Sequence, residues 1–522
     1  MQTSTTLADP VDPPCIQRRC LLAASAASAA SALAPLFVRH ALAADQPRFG
    51  LGVASGQPQA EGLVLWTMLT GPDLPAQVAV DWELADSDRF SRVLARGTEQ
   101  ALQADNHSVH AEPSGLAPGR WYWYRFSALG QRSAPGRTRT APAAGAAVAR
   151  LDVAMASCQR FDVGHFAAWS HLAAEQLDLV LFLGDYIYEY ASSHTALRPH
   201  AGGLVRTLAD YRQRYAQYKS DPALQAAHAA CPWLMVWDDH EVDNDYAGLH
   251  GQTLQPHFAA QRAAAYQAYW EHMPFSQAAR PVDGAMRIVG RLDWGRLARL
   301  HLLDDRQYRS VQACPRSGRG GSNTVVLRNC PDLADPRRSL LGPEQERWLA
   351  QGWSLDRPWN LLAQQTLMAR LAWSDPSAAD GGTYWTDGWD GYAASRQRLL
   401  ATVAERAVPG VVVLGGDVHA NCVADLRLDF SRPESAVLAT EFCGTSISSL
   451  GLAQSRLDAA VPFNPHLKYA RSDQRGYARL AFTAEQLTTH LMVLSDARDI
   501  HSRISSAARF VVAADQPGAL PA

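Results

Sequence analysis

Four apolar runs, each closing on residues that carry charge or bind metals, frame this chain. Leu179-Val180-Leu181-Phe182-Leu183 is apolar at every position and gives way to Gly184-Asp185-Tyr186-Ile187-Tyr188-Glu189. An uninterrupted apolar run of that length predicts a strand buried on both faces. The same order recurs in Leu151-Asp152-Val153-Ala154-Met155-Ala156 before Ser157-Cys158-Gln159, and in Trp233-Leu234-Met235-Val236 before Trp237-Asp238-Asp239-His240-Glu241. The fourth run, Val411-Val412-Val413-Leu414, leads into Gly415-Gly416-Asp417-Val418-His419. Ligands of open α/β sheets gather beyond the carboxyl ends of the strands. Four strands that end in Cys, Asp/Tyr, Asp-Asp-His and Asp-x-His therefore predict a metal site.

The pattern on either side of these runs differs. From about Phe49 to Ala141 short alternating segments, such as Leu63–Thr67, Val78–Leu84 and Trp121–Phe126, are separated by Gly, Pro, Asp and Asn. That spacing predicts a small all-β sandwich of immunoglobulin or fibronectin type. Pro142 to Ala149, nearly all Ala with Pro and Gly, predicts a linker. From residue 150 onward strands alternate with helical stretches, the signature of an α/β domain with a layered αββα core. The predicted helices are Phe166–Gln176, Leu208–Tyr218, Phe258–Met273, Gly342–Leu355 and Tyr392–Arg406. Leu297–Asp304 and Trp359–Ala363 are further strands, and Gly476–Phe482 with Thr488–Leu494 predicts a closing hairpin. The organisation expected is a leader over 1–43, a β-sandwich over 44–141, a linker over 142–149 and an α/β domain over 150–522.

Composition narrows the function classes. At 522 residues the chain exceeds one compact core. A net charge of -3 offers no basic excess to neutralise phosphates, which argues against nucleic acid as the main partner. No P-loop or kinase glycine motif is present. Gln17-Arg18-Arg19-Cys20-Leu21-Leu22 opens an Ala-rich apolar run that leads to Ala41-Leu42-Ala43, the order of a secretory signal with paired arginines. The run is short for a membrane anchor, and Pro35 and Arg39 interrupt it. Export by the twin-arginine machinery, to the periplasm or the extracellular space, is the expectation, with the mature chain a monomer. In such a compartment Cys314 and Cys330, which bracket a Gly/Ser/Arg loop, suit a disulfide, and Cys422 with Cys443 could form a second.

Each candidate ligand has a plainer reading beside the metal one. Asp185 alone could cap a helix. Cys158 alone could be a buried structural thiol, although its place after a strand suits a thiolate ligand. The phenol of Tyr188 is a hard donor that favours a trivalent ion such as Fe(III). Asp238, Asp239, His240 and Glu241 follow a hydrophobic strand directly, so they require either solvent or a cation to offset their mutual repulsion. Asp417 and His419, two residues apart, would share one side of an extended segment, with Asn421 continuing the row.

Taken together, Cys158, the Gly184–Glu189 block, Trp237-Asp238-Asp239-His240-Glu241-Val242-Asp243-Asn244 and Gly415-Gly416-Asp417-Val418-His419-Ala420-Asn421 resemble the PhoD-type alkaline phosphatases. That family also includes phospholipase D enzymes. Gly52-Val53-Ala54-Ser55-Gly56 with Leu65-Trp66-Thr67 is similar to its N-terminal domain, except that Gln57 stands where an acidic residue is expected. The resemblance implies an αββα metallophosphoesterase core holding Fe(III) and calcium. It implies Cys158, Asp185, Tyr188 and His419 as iron ligands, with Asp185 bridging to calcium and Asp239 and Asp417 as further calcium ligands. His240 is then the catalytic acid or hydrogen-bond donor, and Asp238, Asn244 and Asn421 are candidates for the substrate or the outer shell. The implied reaction is hydrolysis of phosphomonoesters, phosphodiesters or both by hydroxide that the metals activate. Two rivals are a phospholipase D-like diesterase acting on lipid headgroups and a catalytically dead ligand-binding protein, which would have lost a ligand.

Overall fold

The computed structural model describes residues 48–522, so the predicted leader over 1–43 lies outside the described residues. Two large sheets carry the α/β part. In the first, Leu151–Ala156, Leu179–Leu183 and Trp233–Val236 run parallel side by side, as their unbroken apolar sequences predict. In the second, Ala298–Leu302, Trp359–Ala363, Val411–Gly415 and Val437–Cys443 form the parallel centre of a seven-stranded sheet.

Side-chain parity shows how the layers stack. Leu361, Ala363, Val412, Leu414 and Phe442 face one core together with Val153, Leu181 and Leu480 of the first sheet. Their neighbours Leu362, Val411, Val413 and Cys443 face a second core with Leu349, Leu399 and Leu400. Successive strand residues point to opposite faces, so each strand of the second sheet serves both cores. Helices Gly342–Gly352 and Ala393–Glu405 cover that outer face. Tyr211, Tyr215, Ala265 and Tyr269, from Leu208–Lys219 and Phe258–His272, join the first sheet. The result is the expected αββα arrangement. Each fully buried Leu, Val or Phe contributes about 1.5–3 kcal/mol to it.

Local signals explain the helix starts. Thr207 and Asp210 form a reciprocal capping box at the head of Leu208–Lys219. Asp221 caps Pro222–Ala230, a helix the sequence reading omitted although Asp-Pro is a strong start signal. At the far end of the chain the expected hairpin is present, but it does not close the fold. Ile504–Ala513 and Gln516–Pro521 add two more antiparallel strands to the first sheet.

The N-terminal region is all-β, as predicted, but one of its sheets is not its own. Val53–Gly56 pairs in parallel with Trp233–Val236 at Gly56↔Trp233, and Val64–Met68 and Ser108–Ala111 extend the same ten-stranded sheet. A separate five-stranded sheet built on Gln77–Ala85, Val93–Leu102 and Trp121–Ala128 packs over these strands through Val80, Tyr124, Phe126, Leu65 and Val109. Gln57, the departure from the family pattern, accepts a hydrogen bond from the Ser276 amide at 2.8 Å, a structural task. Cys314 and Cys330 form the expected disulfide. Cys422 and Cys443 do not. They face each other on adjacent antiparallel strands, but both are free and buried, and the Cys443 thiol donates to the Gly416 carbonyl at 3.2 Å.

At the seam between the N-terminal strands and the helices sits Lys219. Its ammonium lies 4.0 Å from the centre of the Trp66 ring and 5.6 Å from that of Tyr186. Burial lowers its pKa to about 7. The folded value lies below the unfolded one, so the buried charge weighs fully on stability below about pH 7, and the penalty fades as pH rises toward about 10.4. Lys219→Met is therefore expected to resist urea better than the parent at about pH 6, with the advantage shrinking by about pH 9.5. Denaturation midpoints at both values check this, and a constant difference would refute it.

Candidate active site

The four apolar strands bring their C-terminal residues to one place, and the backbone there is unusual. Cys158, Asp185, Asp417 and His419 all adopt left-handed φ values of 60°, 59°, 63° and 52°. For non-glycine residues that conformation costs roughly 1–2 kcal/mol each and persists only where the surroundings hold it. Gly184, at φ 99°, shows why the turn starts as it does. A Cβ there would lie 2.4 Å from the Cβ of Asp238, so only glycine lets the second and third strands approach. Beyond the strands the pairing continues, because the amides of Cys158 and Gln159 donate to the carbonyls of Gly184 and Asp185 at 3.0 Å.

Glu241 braces this junction. Its carboxylate accepts from the amides of Asp185 at 3.1 Å, Tyr186 at 2.5 Å and Asp238 at 2.8 Å. Burial and the charge of Asp185 push its pKa up to about 8 against the pull of those amides. The sequence reading treated Glu241 only as part of the acidic run, yet it ties two of the four strand ends together.

Three groups of candidate ligands result, each with its donor atoms within 4.8 Å of one another: Cys158 with Asp185 and His419; Asp185 with Asp239 and His240; and Asp238 with Asp239 and Asp417. Tyr188 belongs to the first. Its hydroxyl donates to Asp185 Oδ2 at 2.7 Å, lies 3.1 Å from His419 Nε2, and accepts from Ser449 Oγ at 2.7 Å. Asp185 and Asp239 are each shared between two groups. Buried Asp185 Oδ1, Asp238 Oδ2 and Asp239 Oδ1 have no hydrogen-bond partner. Unsatisfied carboxylate oxygens in a buried cluster are costly unless a cation meets them, so the donor set fits metal ions. Hard carboxylate and phenol oxygens with one thiol and one imidazole suit an iron site beside oxygen-rich sites. Burial, with the charge of Asp185 next, raises the Cys158 thiol well above its ordinary pKa, so only a cation would hold it as thiolate.

Arg306, which the sequence reading missed, supplies the protein's own positive charge. It is buried and donates to Asp238 and Asp387, and its Nη2 lies 3.6 Å from Asp239 and 4.0 Å from Asp417. The signal was there, because Asp304-Asp305-Arg306 follows the strand Ala298–Leu302 as the other site residues follow theirs. Thr366, also missed, donates to Asp417 at 2.6 Å.

His240 is fixed by Glu189, whose carboxylate meets Nδ1 at 2.7 Å and also accepts from the Asn244 amide at 2.9 Å. Burial alone would lower the imidazole pKa, but the charges of Glu189, Asp185 and Asp239 outweigh it and hold the value well above the ordinary one. With Nδ1 occupied, Nε2 is left to face the cleft. Asn244 lines the same cleft, and its side chain accepts from Tyr190 at 2.7 Å.

Two sequence expectations fail here. Asp417 and His419 do not share one side of an extended strand. Their left-handed turns send Asp417 to Asp238 and Asp239 and His419 to Cys158 and Asp185. Asn421 does not continue the row. It is buried at the head of the next strand, where it donates to Gln474 and accepts from the Thr445 amide, both at 3.0 Å.

The cluster opens into a cleft of about 420 Å³. Asp185, Asp239, His240, Asp417 and His419 line it together with the apolar Trp373, Trp385, Trp389, Leu450 and Leu452. Neighbouring Tyr392 is buried and donates to the Ser310 carbonyl.

Known proteins resemble this chain over most of its length. The family model for PhoD-like phosphatase matches residues 153–491, and that for the PhoD-like phosphatase N-terminal domain matches residues 32–142. The chain is 41% identical over 488 residues to alkaline phosphatase D of Bacillus subtilis (strain 168), covering 90% of this chain and 82% of that protein. A solved structure described as "Structure of PhoD" superposes with a TM-score of 0.86 at 40% identity, covering 91% of this chain and 92% of the other.

Proposed function

The chain belongs to the PhoD-like phosphatase family, a family of phosphate-ester hydrolases, and from that premise we propose an exported alkaline phosphatase that uses Fe(III) and calcium on phosphomonoesters and phosphodiesters. The observation that carries the reading is the trio of ligand groups joined through Asp185 and Asp239, with unpaired carboxylate oxygens, at the floor of the cleft. None of the ligand types expected from the sequence is missing, which disfavours a dead binding protein. Cys158, Asp185, Tyr188 and His419 would hold iron, and Asp185, Asp239 and Asp417 calcium, with Asp238 beside them. Such ions, when bound, place positive charge against the phosphoryl oxygens and acidify the attacking water.

The chain's own groups do the rest. Glu189 orients His240, so that its Nε2 can donate to the substrate or to the departing alkoxide. Arg306 holds Asp238 in place by an ion pair and favours the ionised form of Asp239, without entering the cleft wall. The apolar residues that line the cleft lower the local polarity and so strengthen charge interactions there. Export rests on the arginine pair and apolar run of the leader.

The test is a panel of mono- and diesters at alkaline pH with metal analysis of the purified protein. We expect turnover of aryl phosphates, loss of turnover on exhaustive chelation and its return with calcium. Full turnover by metal-free protein, or none by metal-replete protein, would overturn the reading.

A further inference from the structure

The apolar rim of the cleft carries features that phosphate-ester hydrolysis as such does not use. Leu450 and Leu452 are 66% and 39% exposed, large apolar side chains held at the rim. They are not loose. The Leu450 carbonyl meets His419 Nδ1 at 2.7 Å, and the Leu452 carbonyl accepts from Ser472 Oγ at 2.9 Å. The same segment leads into the short helix Gln454–Ala460, where Gln454 accepts from the Ser472 amide at 2.7 Å. That helix presents Arg456 to the cleft, with its guanidinium 4.6 Å from the centre of the Trp373 ring.

Arg456 is the one Arg or Lys among the described residues lining the cleft. Other arginines of the region point elsewhere: Arg306 pairs with Asp238 and Asp387, Arg309 with Asp387 and Arg396 with Asp390, and Arg475, beside Gly451, donates to the Ser472 and Gln474 carbonyls. Asp390, which also lines the cleft, is fully engaged, since its two oxygens accept from Arg396 and from the Leu371 amide, each at 2.8 Å. No described carboxylate pairs with Arg456. A guanidinium stacked on an indole keeps its N–H edge free, and that edge matches a carboxylate or phosphate in two parallel hydrogen bonds.

We propose that the cleft selects phosphate esters whose leaving alcohol carries an apolar portion and, beyond it, a second anionic group, and that Arg456 reads that charge. The inference rests on the phosphatase reading and adds a specificity determinant to it. The scissile phosphoryl lies against the Asp and His residues, the apolar portion against the Trp and Leu residues that share the cleft, and the second anion at Arg456 over Trp373. The stacking on Trp373 holds the guanidinium ready, so little side-chain entropy is lost on binding.

The test uses two nitrophenyl phosphates that differ only in a ring carboxylate or a ring carboxamide. The parent protein is expected to favour the carboxylate probe. Arg456→Gln should lower kcat/KM for that probe by about 10–100-fold, the range for a hydrogen-bonded charge, and the loss should fall on KM. Arg456→Lys should recover part of it, because the charge returns without the planar fork. Added salt should narrow the parent's preference. Equal losses on the two probes, or no preference in the parent, would show Arg456 to be a solvated surface residue and sink the proposal. Hydrolysis of neither probe by metal-replete parent would instead sink the phosphatase reading on which it stands.

Discussion

Asp185→Asn is expected to lower turnover by about 10⁴-fold or more, the scale of losing the charge that positions both metal and nucleophile. The reason is that Asp185 serves two ligand groups, with Cys158 and His419 on one side and Asp239 and His240 on the other. It also accepts from Tyr188, so the change weakens a third contact. The substitution keeps the shape of the side chain but removes its charge. Elemental analysis should show iron depleted and calcium reduced, while the strand junction stays intact because Glu241 holds the residue 185 amide, not its side chain. Wild-type metal content with full activity would refute the shared role.

His240→Ala should reduce turnover by about 10²–10⁴-fold, the range for an acid–base group. Metal content separates two possible parts for this side chain. The sequence reading assigns His240 to the substrate, which predicts metal content near that of the parent. The structure sets it within reach of Asp185 and Asp239, so a loss of metal would reassign it as a ligand. Glu189→Gln refines the test. It leaves the imidazole in place but removes the nearest charge on Nδ1, at 2.7 Å, and should weaken activity less than His240→Ala does. A larger loss in Glu189→Gln than in His240→Ala would contradict the positioning role given to Glu189.

Much of the site was legible because strands buried on both faces are apolar at every position, so their ends stand out. The residues just past Leu183, Ala156, Val236 and Leu414 were found on that basis, and the structure brings them together. What stayed hidden was backbone handedness. Nothing in Asp417-Val418-His419 announces two left-handed residues, and the period-2 rule, applied past the end of a strand, aligned side chains that in fact diverge. Arg306 escaped because a lone arginine is most often solvated, and only the fold shows it enclosed by four carboxylates. The Cys422 and Cys443 pairing failed for a different reason. Adjacency in a ladder is a long-range fact, and adjacency alone does not make a bond.

The pairing of Val53–Gly56 with Trp233–Val236 carries a consequence for how the chain can be divided. A boundary near residue 141 looks natural in sequence, yet a cut there would strip the cover from a four-residue strand that is buried along its whole length. The strand left at the margin would offer unpaired amides and carbonyls beside Trp233, Leu234 and Met235, a template for other chains to add to. The N-terminal strands therefore act as a built-in guard on the catalytic sheet, and separate expression of the two halves would trade a sealed seam for a sticky margin.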